Sequence, residues 1–581
     1  MVSRILSSNL KTKKITLTSL IVITVVALGL RLYQLGERVF YYDEAWFGYW
    51  ILKFMENGSW EYFPWLHGPF FVRINPIIFS IFGVNDFTAR LFVAILGGLL
   101  PLAAWLYRDY LRNGEIIALG ILLAFNPILL YYSRFMRKDL PLAAFMFISL
   151  GLLIRAYETK RSRYFYGAGI SLGLAFGTKE SVLLWVLTWI GAGVLVLDRH
   201  LLKAAFSNGS VKPYIIQGIQ RWITGANRYA TQILVSILLF LGVVIFFYAP
   251  RAGPYTQLGL WKALGGNWGM IPAVIEAATI GALTKAIEYW AAGSIQKHPY
   301  LPYFIDTVKT LLAGAIGIIL FAPVGFLYDR YRSNGTRAIV DFNFYSGLAA
   351  IIGYPLANNF PVPWSTTHAV IPLTIPAAVG IYTVYQWGTG NITIVNSVDT
   401  FHNTDLRLAV TSIIFAIFVV TSGITAIQVN YMAPHESPKG PDGGSEIVYY
   451  AQPPGQLHEV IRAIATSVKT SQSNGNRQDV DVLFVGESLA MDESKVQYPP
   501  AIGGWFARMP LPWYTEMLHA NTKSILSPTE IGKNPPPVII TKQPYRNAIA
   551  NKLGNEYTSQ RYFLDDAGDR TIVVFIRKGL R

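Results

Sequence analysis

Residues 1–430 form a succession of apolar stretches, about eleven of them, most close to the ~20 residues that an α-helix needs to cross a bilayer. They are expected at about 16–34, 86–106, 115–131, 140–156, 164–177, 181–197, 230–249, 307–328, 342–357, 369–386 and 408–430. A chain patterned this way folds as an all-α polytopic membrane protein, because a helix satisfies its own backbone groups in hydrocarbon. The composition agrees: 52% of residues are hydrophobic and 14% charged, against about 25% charged in soluble domains. The net charge of +15 marks cytoplasmic loops here, since Lys and Arg concentrate on that side of multi-pass proteins. Nucleic acid is therefore not expected as a partner. With no cysteine in the chain, disulfides, thiolate metal sites and cysteine nucleophiles are excluded.

The charge pattern orients the spans. Arg4, Lys11, Lys13 and Lys14 precede the first one, which places the N-terminus in the cytoplasm. Alternation then puts the basic loops with Arg108 and Arg112, Arg155 to Arg163, Arg199 to Arg228, and Arg330 to Arg337 on the same side. The loops holding Asp43, Arg134, Lys179 and Trp364 fall on the other side. The first span lacks a small-residue cleavage site, so it reads as a retained helix of a multi-pass plasma-membrane protein. Residues 45–56 and 70–83 are expected as interfacial or re-entrant helices, and 274–291 as an amphipathic surface helix. The stretch 387–406 is expected to be polar and internal.

Residues 431–581 differ. Pro, Gly and Ser cluster in a linker at 431–456. In 457–581, helix-like segments (458–469, 544–553) alternate with strand-like ones (479–486, 537–541, 571–576), which predicts a small extracytoplasmic α/β domain. The three parts are thus a transmembrane domain at 1–430, a linker, and this domain.

The chemistry concentrates in the external loops. Asp43 and Glu44 sit in Val39-Phe40-Tyr41-Tyr42-Asp43-Glu44-Ala45-Trp46, just beyond the first span, and carboxylates at that depth point to a functional site. The bland alternative is a pair of interfacial acids facing water. The neighbouring aromatic helix, His67 and a set of external cations favour function. Taken singly, His67, His298 and His368 read as structural, and their spacing carries no metal signature. Arg134, Arg137 and Lys138 form a cationic cluster that breaks the positive-inside trend. They either snorkel to headgroups or bind an anion such as a lipid phosphate. Asp139 is expected to orient these cations, in preference to binding a metal. The span 164–177 is too short for a ~30 Å hydrocarbon core, so Lys179 and Glu180 should lie in a polar cavity or form a buried ion pair.

Together, Tyr41-Tyr42-Asp43-Glu44, His67-Gly68-Pro69, Tyr131-Tyr132-Ser133-Arg134-Phe135 with Arg137 and Asp139, and Thr178-Lys179-Glu180 resemble the GT-C membrane glycosyltransferases. Protein O-mannosyltransferase-like and aminoarabinose-transferase-like enzymes are the nearest enzymatic groups. More narrowly, the set is similar to an archaeal family of flippase-activity-associated proteins of the glycosylation pathway. The resemblance covers about the first 200 residues. It implies polyprenyl- or dolichyl-phosphate sugar as donor and Asp43 as catalytic acid–base residue. It does not extend to an acceptor-peptide-binding lumenal domain.

The expected activity is transfer of a sugar from such a lipid to a glycan, lipid or protein acceptor outside the cytoplasm. Asp43 accepts a proton from the acceptor hydroxyl as it attacks the anomeric carbon. Glu44 holds the acceptor or the neighbouring backbone. Arg134, Arg137, Lys138 and Lys179, with His67, Asp139 and Glu180, bind the donor and offset the phosphate charge. A divalent cation as cofactor stays open. The alternative is a non-catalytic or translocating protein for lipid-linked sugars. The lack of an internal repeat of broken helices favours the transferase.

Overall fold

The protein is described from a computed structural model that covers residues 2–208, 210–292, 298–332, 336–358, 360–392, 404–441, 443–473, 480–493, 496 and 503–580. Lys297, Asn359, Asp479 and residues 393–403 of the expected polar stretch lie outside the described residues. The chain divides into two compact units. One comprises Met1–Tyr33, Val93–Tyr248 and Ala278–Asn430; the other comprises Gln34–Phe92, Ala249–Ala277 and Tyr431–Arg581.

Among the described residues, ten helices are long and apolar enough to cross a membrane. The expected stretch 115–131 is broken into Asn113–Phe125 and Pro127–Tyr132. Asn126 causes the break, its Oδ1 accepting the Leu129 amide at 3.1 Å, with Pro127 opening the next helix. The expected 164–177 helix runs from Ser162 to Thr178, still only 17 residues, or about 25 Å. Conversely, Trp268–Trp290 meets the length and hydropathy of a span, where a surface helix was expected. Nine of the eleven expected stretches are therefore full-length candidates, the other two are the broken and the short helix, and Trp268–Trp290 is the tenth candidate.

The first unit is a bundle around Thr367–Gly388, a helix buried along most of its length. It packs backbone to backbone against Tyr300–Tyr331. A Cβ on Gly325 would collide with the Pro376 carbonyl, and one on Gly380 with the Phe321 carbonyl. Small residues permit this close approach. Tyr300–Tyr331 is kinked at Ala315, where the backbone leaves helical geometry. Asn126 Nδ2 donates to the neighbouring Gly314 carbonyl at 2.9 Å and satisfies it. A buried ion network adds to the packing: Arg337 bridges Glu115 at 2.6 Å and Asp329 at 2.6 Å.

The second unit contains the sheet. Strands β1 (Val482–Val485), β2 (Thr522–Ile525), β3 (Val538–Thr541), β4 (Tyr557–Phe563) and β5 (Thr571–Arg577) lie in the order β2-β1-β3-β5-β4. β1 pairs in parallel with β2 and β3, while β5 runs antiparallel to both β3 and β4. Leu483, Val485, Ile539, Val573 and Phe575 fill one core with Ile549 of the helix Arg546–Leu553. β2 and β4 were not foreseen. β2 is short with a mostly part-exposed pattern, and β4 reads TSQR at its centre, so neither shows an apolar run.

Residues 431–581 share this unit with the loop segments that follow the first span. Trp513 is fully buried and stacks on Phe40 at 4.9 Å, and its indole N–H donates to Asp86 at 2.8 Å. Tyr514 donates to the other Asp86 oxygen at 2.7 Å and accepts the Phe40 amide at 2.8 Å. Trp46 stacks on Phe506 at 4.9 Å and meets Trp505 edge-on at 5.2 Å. Such aromatic pairs contribute about 0.5–1.5 kcal/mol each beyond area burial.

Candidate functional site

The expected acids and the expected cations fall in different units. Asp43 and Glu44 open the helix Tyr42–Asn57, in its first turn, where the helix dipole favours carboxylates. The helix begins three residues before the expected 45–56. Glu44 Oε2 reaches back to the Tyr41 amide at 3.5 Å, which closes that first turn.

The two adjacent carboxylates have different surroundings. Glu44 is fully buried and bound by both ends of the Arg90 guanidinium, Nε to Oε1 at 2.8 Å and Nη2 to Oε2 at 2.7 Å. Arg90 also donates to the carbonyls of Leu35 at 3.0 Å and Arg38 at 2.7 Å, and its guanidinium lies 4.7 Å from the Phe40 ring centre. It therefore ties the loop 34–41 to the start of the helix. Asp43 is only partly buried, and the Tyr41 hydroxyl donates to it at 3.2 Å. Tyr42 lies under the Arg570 guanidinium, 5.0 Å from the ring centre. Burial, reinforced by the Asp43 charge and opposed by Arg570, pushes the Tyr42 hydroxyl up to about 12.

His67 ends the turn Pro64–Leu66 with positive φ (55°) and faces Phe47 at 6.5 Å. The same unit brings two buried arginines to one acceptor. Arg73 Nη2 and Arg251 Nη1 both donate to the Ala249 carbonyl, at 3.0 and 2.8 Å. Arg73 lies over Trp60, whose backbone bridges to Arg251, and Arg251 lies over Trp261 at 5.1 Å. Burial lowers Arg251 to about 10, which leaves it charged at neutral pH.

In the first unit, Asp139 is a hub. Its Oδ1 accepts from Lys179 Nζ at 2.8 Å and lies 3.2 Å from His368 Nε2, while Arg137 Nε is 3.5 Å from Oδ2. The Trp185 indole N–H donates to His368 Nδ1 at 2.7 Å, and the His368 ring stacks on Tyr354 at 4.4 Å. Trp185 thus sets the tautomer, leaving Nε2 to carry the proton toward Asp139. Arg137 stacks over Trp364, 3.5 Å from the ring centre. Lys138 is buried beside this group. Burial lowers it to about 7, with Lys179 and Arg137 acting in the same direction and Glu180 opposing them. Arg134 donates to the Leu30 and Tyr33 carbonyls at 2.7 and 2.6 Å, at the end of the first helix. Arg137, Asp139 and Lys179 are therefore brought together, and Arg134 caps a helix.

Residue spacing did not identify Arg90, Arg73, Arg251 or the Asp139–His368 contact. The signal for Arg90 was present: a lone guanidinium within an apolar stretch demands a buried acid. Among the described residues, no three His, Asp or Glu side chains gather as a metal site would require.

No curated protein sequence matches the chain. A family model for dolichyl-phosphate-mannose-protein mannosyltransferase matches residues 66–212. Another, for the Agl23 flippase-associated protein C-terminal domain, matches residues 461–577. Two crystal structures of ArnT from Cupriavidus metallidurans are similar at 14% identity, covering 96% of this chain and 98% of that one. The TM-score is 0.52 for the apo state and 0.53 for the form bound to undecaprenyl phosphate. At that identity the likeness is one of fold. The chain is a multi-pass membrane protein with the GT-C glycosyltransferase fold of ArnT, and its residues 461–577 match the model of the Agl23 flippase-associated C-terminal domain.

Proposed function

We propose that the protein transfers a sugar from a polyprenyl- or dolichyl-phosphate donor to an acceptor hydroxyl on the extracytoplasmic side, with Asp43 as the base. The observation that carries this is the contrast within one dipeptide. Glu44 is neutralised by Arg90, while Asp43 keeps part of its surface open at a helix start. Arg90 and Glu44 are positioning residues: they fix the loop so that the neighbouring carboxylate stays in place.

In the reaction, the acceptor oxygen bonds to the anomeric carbon as the bond from that carbon to the phosphate oxygen breaks. The acceptor proton passes to Asp43 and the electron pair leaves with the phosphate, so configuration inverts. Cations offset the charge developing on the leaving phosphate. Arg73 and Arg251, in the same unit as Asp43, supply two guanidinium groups against one carbonyl. Arg137, Lys138 and Lys179, gathered on Asp139, are a second anion-holding group, and Arg134 supports it from the helix end. His67 contributes to the sugar side, and Glu180 favours the charged form of Lys138.

The match of residues 461–577 to the Agl23 flippase-associated domain supports a second reading, a role in moving or handling lipid-linked sugars without chemistry. The test is a reconstituted protein given a labelled polyprenyl-phosphate sugar and an acceptor pool. Transfer with inverted anomeric configuration supports the enzyme. Donor binding without transfer supports the second reading, and failure to bind any such lipid removes both.

A further inference from the structure

The stretch between the candidate spans Val182–Phe206 and Ala230–Tyr248 contains a helix, Lys212–Arg228, with no buried residue. Its apolar residues are not scattered. Ile215, Ile219, Trp222 and Ile223 recur at helical spacing and share one face, while Gln217, Thr224 and Arg228 lie on the opposite one. Trp222 is 82% exposed, and the three isoleucines are each exposed as well. Both ends are anchored. Tyr214 stacks on His200 at 6.5 Å, and the following Tyr229 stacks on Phe165 at 6.0 Å. The helix is held at its ends against neighbouring helices, and among the described residues its apolar face is bare.

The charge along this part of the sequence is of one sign. From Arg199 to Ile275 the sequence has no Asp or Glu, and Lys203, Lys212, Arg221 and Arg228 fall within or beside this helix. A segment joining two spans leaves and re-enters the bilayer within a short distance, so the membrane surface is the apolar phase within its reach. An amphipathic helix with a cationic polar face suits an anionic leaflet.

We propose that Lys212–Arg228 is a lipid-binding element that lies in the interface, its isoleucine and tryptophan face among the acyl chains and its cations drawn to anionic headgroups. Because the chain has no cysteine, Ile219→Cys and Gln217→Cys each give a single site for a nitroxide label. The full-length protein is reconstituted in phosphatidylcholine vesicles and in vesicles of equal phosphatidylcholine and phosphatidylglycerol. The label at 219 should collide with oxygen in preference to a water-soluble nickel chelate, by a ratio several-fold above that at 217. It should also lie deeper in the mixed vesicles. The variant Lys212→Gln, Arg221→Gln, Arg228→Gln should abolish that difference between vesicles. Equal accessibility at 217 and 219 overturns the proposal. So does a label at 219 shielded from both probes, which would mean that another protein surface covers it, or a depth indifferent to lipid charge in the unmodified helix.

Discussion

Arg90 grips Glu44 with two nitrogens, at 2.8 and 2.7 Å, and neither side chain reaches solvent. Breaking one partner of such a pair leaves a buried charge unmatched, which costs about 3–5 kcal/mol. Arg90→Ala should therefore lower the unfolding midpoint of the purified protein sharply. Replacing both partners with apolar residues, as in Arg90→Met with Glu44→Leu, should recover much of that loss. Equal destabilisation in the single and double variants would contradict a paired role.

Trp513 links the C-terminal sequence to the segment before the acidic helix. It stacks on Phe40 and donates to Asp86. A Cβ on Gly48 would lie 2.6 Å from its ring. Trp513→Ala should cost about 3–5 kcal/mol, and Gly48→Ala should also destabilise by crowding the same ring. Denaturant unfolding of both variants checks this. A neutral Gly48→Ala would mean that the ring has room to move.

Lys179 and Asp139 form the short contact of the first unit's charged group, at 2.8 Å. If Lys179 also meets the donor phosphate, Lys179→Ala weakens donor binding more than it reduces the yield of folded protein. Loss of both to the same degree would assign the lysine to structure alone.

Lys138 supplies a pH signature. Its folded value is about 7 against an ordinary 10.5, chiefly through burial. The unfolded chain then binds the extra proton between those values, so this residue's contribution makes stability rise with pH across that window. Below about 7 the lysine is charged in the folded protein, so donor-phosphate affinity should fall as pH rises through that point. Lys138→Arg keeps its charge throughout and should flatten the dependence. An unchanged slope in that variant would place the titration elsewhere.

Much of the architecture was legible from hydropathy, because a membrane leaves few solutions for a long apolar stretch. The break at Asn126 was less visible, since it depends on one side chain capping a helix inside an apolar run. The dipeptide Asp43-Glu44 was conspicuous, but its division of labour was not. Glu44 pairs with a residue 46 positions away, and no local pattern announces such a partner. The same holds for Trp46 with Trp505 and for Asp139 with His368, where chain distance hides the contact. β4 escaped notice because its central residues are polar and its pairing partner β5 lies beyond a turn.

The central claim is that Asp43 takes the acceptor proton. The direct measurement is sugar transfer from a labelled polyprenyl-phosphate donor by Asp43→Asn, with donor binding and unfolding measured on the same preparation. General-base catalysis contributes roughly 10²–10⁴-fold, so transfer should fall by that order while binding and stability stay near those of the unmodified protein. Transfer retained within a few-fold would contradict the assignment.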